Sequence, residues 1–372
     1  MLKVGITGQA GFIGTHLYNT LALRPQQFTR IPFEDVFFTD NERLEAWVSQ
    51  CDVIVHLAAL NRHNDSEVIY NTNIELVFLM INALEKTNST PHVLFASSIQ
   101  EERDNLYGRS KKKGRELFEQ WAIRNNASFT GFIIPNVFGP FGHPYYNSVV
   151  ATFCHQLTRN ETPKIELDGD IKLIYVGELV TEFINQFNNQ KSSITVKVPH
   201  TSQIKVSALL KLLKEVQTGY FERGEIPSIQ EQFKRDLFNT FLTYIDHQSF
   251  YPYNLNLNKD ERGSFVETVK LNSGGQVSFS TTLAGITRGN HFHTRKAERF
   301  IVIKGKAKIE LRRIGTQKVL SFELNGFQPS FVDMPVWYTH NIKNIGNEEL
   351  YTIFWINEQY NPDDPDTFFE KV

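Results

Sequence analysis

The stretch Thr7-Gly8-Gln9-Ala10-Gly11-Phe12-Ile13-Gly14 constrains this chain most, because it joins a strand pattern directly to a helix pattern. Lys3–Thr7 reads as a short apolar strand and Phe12–Ala22 as a helix. In such a turn Gly8 permits a tight reversal, Gly11 lets the backbone approach a pyrophosphate, and Gly14 allows close helix–sheet packing. The helix start then offers free N–H groups and a positive dipole end to phosphate. The plain alternative is a Gly-rich turn used only for packing. Its position at the first strand–helix junction favours a dinucleotide.

The alternation continues. Asp52–Ala58, His92–Ala96 and Phe129–Ile134 read as strands, and Ile74–Leu84 and Lys111–Ile123 as helices. Strands alternating with helices of this length build βαβ units and an α/β fold with a doubly wound parallel sheet. Residues 148–245 read as mostly helical, with β pieces at Lys172–Val176 and Ile194–Val198. From about Ser249 the pattern changes to short β runs: Gly263–Val269, Gln276–Thr282, Arg299–Ile303, Ala307–Arg312 and Thr352–Ile356. Turns at 272–275 and 344–347 separate some of them, so an all-β barrel or sandwich is expected. The change falls near Asp246–Tyr253 and predicts two domains, 1–247 and 248–372, which suits a chain of 372 residues.

Composition narrows the function. With 39 Lys and Arg against 41 Asp and Glu, the chain lacks the cation surplus that a nucleic-acid backbone requires. Two cysteines, Cys51 and Cys154, exclude a disulfide scaffold and read as buried thiols. No run approaches the ~20 apolar residues of a membrane span. The opening residues lack the pattern of a secretory leader, so a cytoplasmic enzyme is expected.

Tyr107-Gly108-Arg109-Ser110-Lys111 is a second constellation, with Tyr107 and Lys111 one helical turn apart. A nearby ammonium is expected to lower the phenol pKa, so that the pair exchanges a proton with a carbonyl or alcohol. Ser98, at the end of the strand His92–Ala96, would hold the substrate oxygen. Alone, this spacing is common by chance, and Lys112, Lys113 and Arg115 also fit a solvated face. Ligands of such sheets, however, bind outside the carboxyl ends of the strands.

Taken with VIVHLAA (53–59), Asn73, FASS (95–98) and PNVFGP (135–140), these pieces resemble the extended short-chain dehydrogenase/reductase family over about the first 180 residues. The resemblance implies Ser98, Tyr107 and Lys111 as the catalytic set, with Lys111 also on the nicotinamide ribose. It implies cofactor contacts at Gly8, Gly11, Phe12, Ile13, Gly14, Leu57, Ala58 and Ala59, and substrate contacts at Asn136 and Asn147. Two departures stand out. Ile133 and Ile134 precede Pro135-Asn136 where members often carry Arg, and no single acid ends the second strand. Glu34 or Asp35 would bind the 2′-hydroxyl of NADH, whereas Arg30 suits the 2′-phosphate of NADPH. NADPH is expected, with NADH left open.

In the β-rich part, His291 and His293 share one strand face, Glu298 follows, and His340 lies further on. Three imidazoles and a carboxylate suit a divalent transition metal, with Zn²⁺ the first choice and other divalent ions open. Gly285, these residues, Gly305 and the run Pro335–His340 resemble the cupin family, which implies a small β-barrel. Trp337 stands where cupins usually carry Gly, a change expected to reshape the turn or narrow the pocket mouth.

The two parts limit each other's chemistry. A ketone at C4 of a nucleotide sugar acidifies the C3 hydrogen, and polarising O4 stabilises the enolate. Reduction removes the ketone, so epimerisation comes first. The whole chain resembles the two-domain capsule-biosynthesis enzymes of the CapF type, notably at Tyr146–Cys154, Gly285–His291 and Trp355–Val372. That implies C3 epimerisation of a UDP-2-acetamido-2,6-dideoxy-4-hexulose in the cupin, then NADPH-dependent C4 reduction to the L-talose sugar that leads to UDP-N-acetyl-L-fucosamine. It also implies a homodimer, with an upstream 4,6-dehydratase and a downstream epimerase linked through the pathway alone. A single-function C4 epimerase or reductase with a sugar-binding cupin is the alternative, and an iron oxygenase shares the ligand types. A 4,6-dehydratase would carry Asp-Glu where Ile99-Gln100 follow Ser98. Tyr338 and Lys304 are candidates for the C3 base by proximity in sequence.

Overall fold

The computed structural model describes residues 1–189, 193–261, 263–272 and 274–372, so Ser273 of the expected turn lies outside them. It forms two compact units. One comprises Met1–Phe138, Gly142–Thr152 and Gly169–Lys205, and the other Gly139–Phe141, Phe153–Asp168 and Val206–Val372.

The first unit is built on a six-stranded, all-parallel sheet. Its strands are β1 (Leu2–Thr7), β2 (Phe28–Ile31), β3 (Val53–His56), β4 (His92–Ser98), β5 (Phe129–Ile134) and a last strand, Ile194–Lys197. The order is β2-β1-β3-β4-β5 followed by 194–197. Helices α1 (Phe12–Ala22), α2 (Asn41–Val48), α3 (Ser66–Lys86) and α4 (Leu106–Asn125) cross between strands. Alternate side chains of each strand feed different cores. Val53 and Val55 pack with Leu17, Leu94, Phe132 and Phe183, while Ile54 packs with Trp47, Val77, Phe118 and Trp121. A sheet buried on both faces explains the near-continuous apolar strands. The order reverses between β1 and β3, and in sheets of this kind ligands bind at such a reversal, outside the carboxyl ends of the strands.

Helix starts are set by capping. Asn105 Oδ1 accepts from Gly108 N at 2.7 Å, so α4 begins five residues before the expected Lys111 and places Tyr107 in its first turn. It ends at Asn126, in the left-handed conformation that such caps favour.

The second unit holds two five-stranded antiparallel sheets. One runs in the order 253–254, 330–334, 298–304, 350–356, 276–282, and the other 319–325, 306–313, 338–344, 287–292, 368–369. Ile301, Ile309, Leu311, Val332, Met334 and Ile342 form its core. The helices Val206–Gln217 and Gln232–Leu242 group with this β-rich part, although the sequence pattern joins them to the first domain. One tie is electrostatic. Arg299, 1% exposed, pairs with Asp333 at 2.8 Å and donates to the Gly224 carbonyl at 2.6 Å, while Tyr220 donates to Asp333. A buried guanidinium without these partners would be strongly destabilising, so the segment after the first of these helices is tied to the sheet.

Candidate active sites

In the first unit, the Gly-rich turn follows β1 at this reversal of strand order. Gly8 has φ +64°, and a Cβ there would lie 3.0 Å from Ala58 N. At Gly14 a Cβ would come within 2.3 Å of the Gly8 carbonyl, so no larger residue fits between α1 and the turn. Thr7 Oγ1 accepts from Ala58 N at 3.2 Å and contacts His56 Nδ1 at 3.1 Å, which ties the ends of β1 and β3 together. The half-buried residues Leu57, Ala58 and Ala59 thus lie beside the turn, with Phe12 and Ile13 in the first turn of α1. Arg30, near the end of β2, donates to the Tyr18 carbonyl at 3.3 Å and stacks 4.1 Å above its ring.

Ser98 closes β4, and its Oγ accepts from Gln100 N at 3.2 Å. The next helix packs hard against this turn, since a Cβ on Gly108 would sit 1.9 Å from the Gln100 carbonyl. Gly108 therefore lets the first turn of α4, which carries Tyr107, pack close to the turn after β4. Lys111 is 4% exposed, with Nζ 4.7 Å from the centre of the Phe95 ring. Asn73 of α3 donates to Ser110 Oγ at 3.1 Å and accepts from Leu60 N at 2.7 Å, which braces α4 against the loop after β3. Glu101 accepts from Ser97 and forms a forked pair with Arg115 at 2.8–3.2 Å, clamping the turn after Ser98.

Burial, followed by the neighbouring Tyr146, pushes the Tyr107 phenol above its ordinary value. Burial also brings Lys111 down to about 8, against the attraction of Glu101. The lowered phenol pKa expected from the Tyr–Lys spacing is thus outweighed by desolvation. A neutral phenol is the form that can donate a proton.

In the second unit His291 and His340 lie opposite each other across two paired strands, and Glu298 starts a strand of the facing sheet. One ligand-type atom from each of His291, His293, Glu298 and His340 lies within 4.8 Å of all the others. Among the described residues no second group of this kind occurs. His293 Nδ1 faces the Asp366 carbonyl, and His340 Nδ1 the Tyr338 carbonyl at 3.2 Å. Carbonyls only accept, so both rings carry a proton on Nδ1 and a lone pair on Nε2 when neutral. Those Nε2 atoms lie 3.4 and 3.0 Å from Glu298 Oε2. None of the three atoms makes a well-aligned hydrogen bond, and all are buried. Converging buried lone pairs repel unless a proton or a cation lies among them, so the donor set fits a divalent ion. Burial, then His340 and His293, pull His291 down to about 4. Burial alone would raise the Glu298 carboxyl, yet His293 and His340 hold it below the usual carboxylate range.

Residues 4–193 match the NAD dependent epimerase/dehydratase family, and residues 258–368 match the polysaccharide biosynthesis C-terminal domain. The UDP-2-acetamido-2,6-beta-L-arabino-hexul-4-ose reductase of Pseudomonas aeruginosa is 33% identical, over 99% of this chain and 98% of that protein. The chain belongs to the NAD dependent epimerase/dehydratase family and, over its whole length, to the CapF type of capsular enzyme. The crystal structure of the capsular polysaccharide assembling protein CapF from Staphylococcus aureus is 33% identical, covers all of both chains and superposes with a TM-score of 0.63. The spore coat polysaccharide biosynthesis protein SpsL of Bacillus subtilis is 26% identical over 29% of this chain and 78% of that protein.

Within this CapF-type chain, Asn136 and Asn147 come from segments outside the Tyr107 helix. Asn136 is exposed and donates to the Lys172 carbonyl at 3.2 Å, and Asn147 is exposed in the turn before the helix Val149–Thr158. Lys304 ends the strand that Glu298 begins, about 20 Å away along the strand. There it is exposed and sits 3.6 Å from Glu348, which removes it from the His and Glu cluster. Tyr338 is buried, with its ring against His247 and Phe141. Trp337 keeps the left-handed backbone that Gly would adopt, at φ +63°, and stacks on Phe292 with ring centres 5.7 Å apart. The turn therefore survives the substitution. Tyr146 was missed as a neighbour of Tyr107. Its hydroxyl accepts from Asn61 N at 3.1 Å, and only the fold brings residues 85 apart together.

Proposed function

We propose that the chain carries out two successive steps on a UDP-2-acetamido-2,6-dideoxy-4-hexulose. C3 epimerisation takes place in the β-rich unit, read as a cupin, and NADPH-dependent C4 reduction in the Rossmann-type unit. The product is UDP-2-acetamido-2,6-dideoxy-L-talose, on the route to UDP-N-acetyl-L-fucosamine for a surface polysaccharide. The observation that carries this reading is the convergence of His291, His293, Glu298 and His340 in a chain whose other unit bears Ser98, Tyr107 and Lys111. The P. aeruginosa relative supports the second step, since it is a reductase of a hexul-4-ose.

A bound divalent ion, zinc by its N and O donors, supplies a Lewis acid for the O4 ketone. A bound nicotinamide supplies hydride for C4. His291, His293, Glu298 and His340 hold the ion, and the lone pairs of His293 and His340 are set for this by their Nδ1 bonds. Ser98 orients O4 in the reductase, Tyr107 gives O4 its proton, and Lys111 holds the ribose. With NADPH omitted, the wild-type protein in D₂O is expected to place deuterium at C3 of the ketone. Adding NADPH is expected to yield the alcohol with that label retained. Ketone reduction with no C3 exchange would leave only the single-function reductase with a sugar-binding cupin.

NADPH is the proposed cofactor, with Arg30 as the 2′-phosphate contact. One guanidinium N–H is engaged by Tyr18, and a guanidinium has five such donors. Arg30→Ala is expected to narrow the NADPH-over-NADH preference by at least about tenfold in kcat/KM, the scale of a lost charge-assisted contact. A wild-type preference for NADH would show this assignment to be wrong while leaving the fold intact.

A further inference from the structure

We propose that Asp366 is a positioning residue of the metal centre, holding the connection between His293 and Glu298 from both its side chain and its main chain. The inference rests on the metal-centre reading above. Residues 294–297 link the two ligands, and a free loop of this kind would let them drift apart. Asp366 prevents this. Its Oδ1 accepts from Thr294 N at 3.1 Å and Thr294 Oγ1 at 2.6 Å. Its Oδ2 accepts from Thr294 N at 3.2 Å, Arg295 N at 3.0 Å and Lys296 N at 3.1 Å. Three successive amides curl around one carboxylate, which is a concave anion-binding arrangement made by the backbone. The Asp366 carbonyl meanwhile accepts from His293 Nδ1, which fixes that ring's tautomer and direction.

The neighbours reinforce this grip. Lys296, 2% exposed at its side chain, donates to the Pro365 carbonyl at 2.5 Å, and Arg295 donates to the Asp364 carbonyl at 2.9 Å. Phe368–Phe369 then pair with His291–Phe292 as a strand. Asp366 itself is 4% exposed with φ +40°. That conformation is uncommon outside Gly, Asn and Asp, so both its backbone and its carboxylate suit this position. Asn at 366 would set an NH₂ group among N–H donors and leave at least one buried donor without an acceptor.

The test uses the full chain, stripped of metal and titrated with Zn²⁺ against a chromophoric chelator, and with Co²⁺ followed by visible absorption. Asp366→Asn is expected to weaken Zn²⁺ binding by roughly 10–100-fold, the range for partners of metal-ligating histidines. The Co²⁺ spectrum is expected to change as well, because the ligand geometry changes, and a merely structural role would leave that spectrum as in wild type. NADPH binding, read by fluorescence, reports that the first unit is intact. Thr294→Val removes only the hydroxyl bond and is expected to shift affinity in the same direction by less, roughly two- to tenfold, the scale of one hydrogen bond. It decides the question should Asp366→Asn fail to fold. Wild-type Zn²⁺ affinity together with a wild-type Co²⁺ spectrum in either folded variant overturns the inference. A wild-type chain that takes up neither ion overturns the metal-centre reading first, and this inference with it.

Discussion

Tyr107→Phe is expected to lower ketone reduction by roughly 10²–10⁴-fold while leaving nicotinamide binding and fold in place. The substitution removes one oxygen and keeps the ring that packs in the first turn of α4. That turn is held by Asn105 at its start and by the close approach of Gly108 to the Gln100 carbonyl, and neither depends on the phenol. The loss should therefore appear in the chemical step. Burial keeps the Tyr107 phenol protonated, so it is loaded to donate in the direction of reduction. Single-turnover NADPH oxidation with a UDP-4-keto-6-deoxy-HexNAc reads this directly. C3 deuterium exchange should persist in the variant, since the proposed enolisation is assigned to the other unit. Turnover within a few-fold of wild type would remove Tyr107 from the role of proton donor.

His291→Ala is expected to abolish stoichiometric metal binding and to lower C3 exchange by at least about 10²-fold, while NADPH binding is unchanged. Three donors would remain, His293, Glu298 and His340, and two of these nitrogens already converge on one carboxylate oxygen. Removing the fourth opens the site to water and weakens retention of the ion. His291 also sits opposite His340 across paired strands, so its loss leaves the ladder hydrogen bonds, which come from the backbone, in place. Metal content by elemental analysis and exchange in D₂O without NADPH are the two readouts. Exchange that survives in this variant, or that vanishes in Tyr107→Phe instead, would transfer the C3 chemistry to the first unit.

The first unit was legible because its signals are local. The helix Phe12–Ala22 and the strand Phe129–Ile134 agree with the structure residue for residue, since apolar period and turn glycines lie within one window. Helix α2 was not anticipated, since its eight residues are too few to show a helical period, and the second strand was given no bounds, as Phe28–Ile31 is only four residues long. In the second unit, the strands 319–325 and 330–334, which flank the Asn325-Gly326 turn, were not among the expected runs. They are strands because each pairs with a neighbour, 306–313 for the first and 298–304 for the second.

What the sequence determined by itself was the chemical inventory: a Gly-rich turn after a strand, Ser98, Tyr107 and Lys111 in spacing, and His291, His293, Glu298 and His340 in order. Those features rest on covalent spacing and side-chain type, which need no fold to be read. Only the tertiary structure decided how the groups are tuned and braced. It buried Tyr107 and raised its pKa where spacing alone predicted a fall, because desolvation depends on what surrounds a group. It moved Lys304 away from the His and Glu cluster, because a strand carries its two ends far apart. It also brought Asp366 onto the loop beside His293 from 73 residues away, a contact that exists only where two distant segments are packed together.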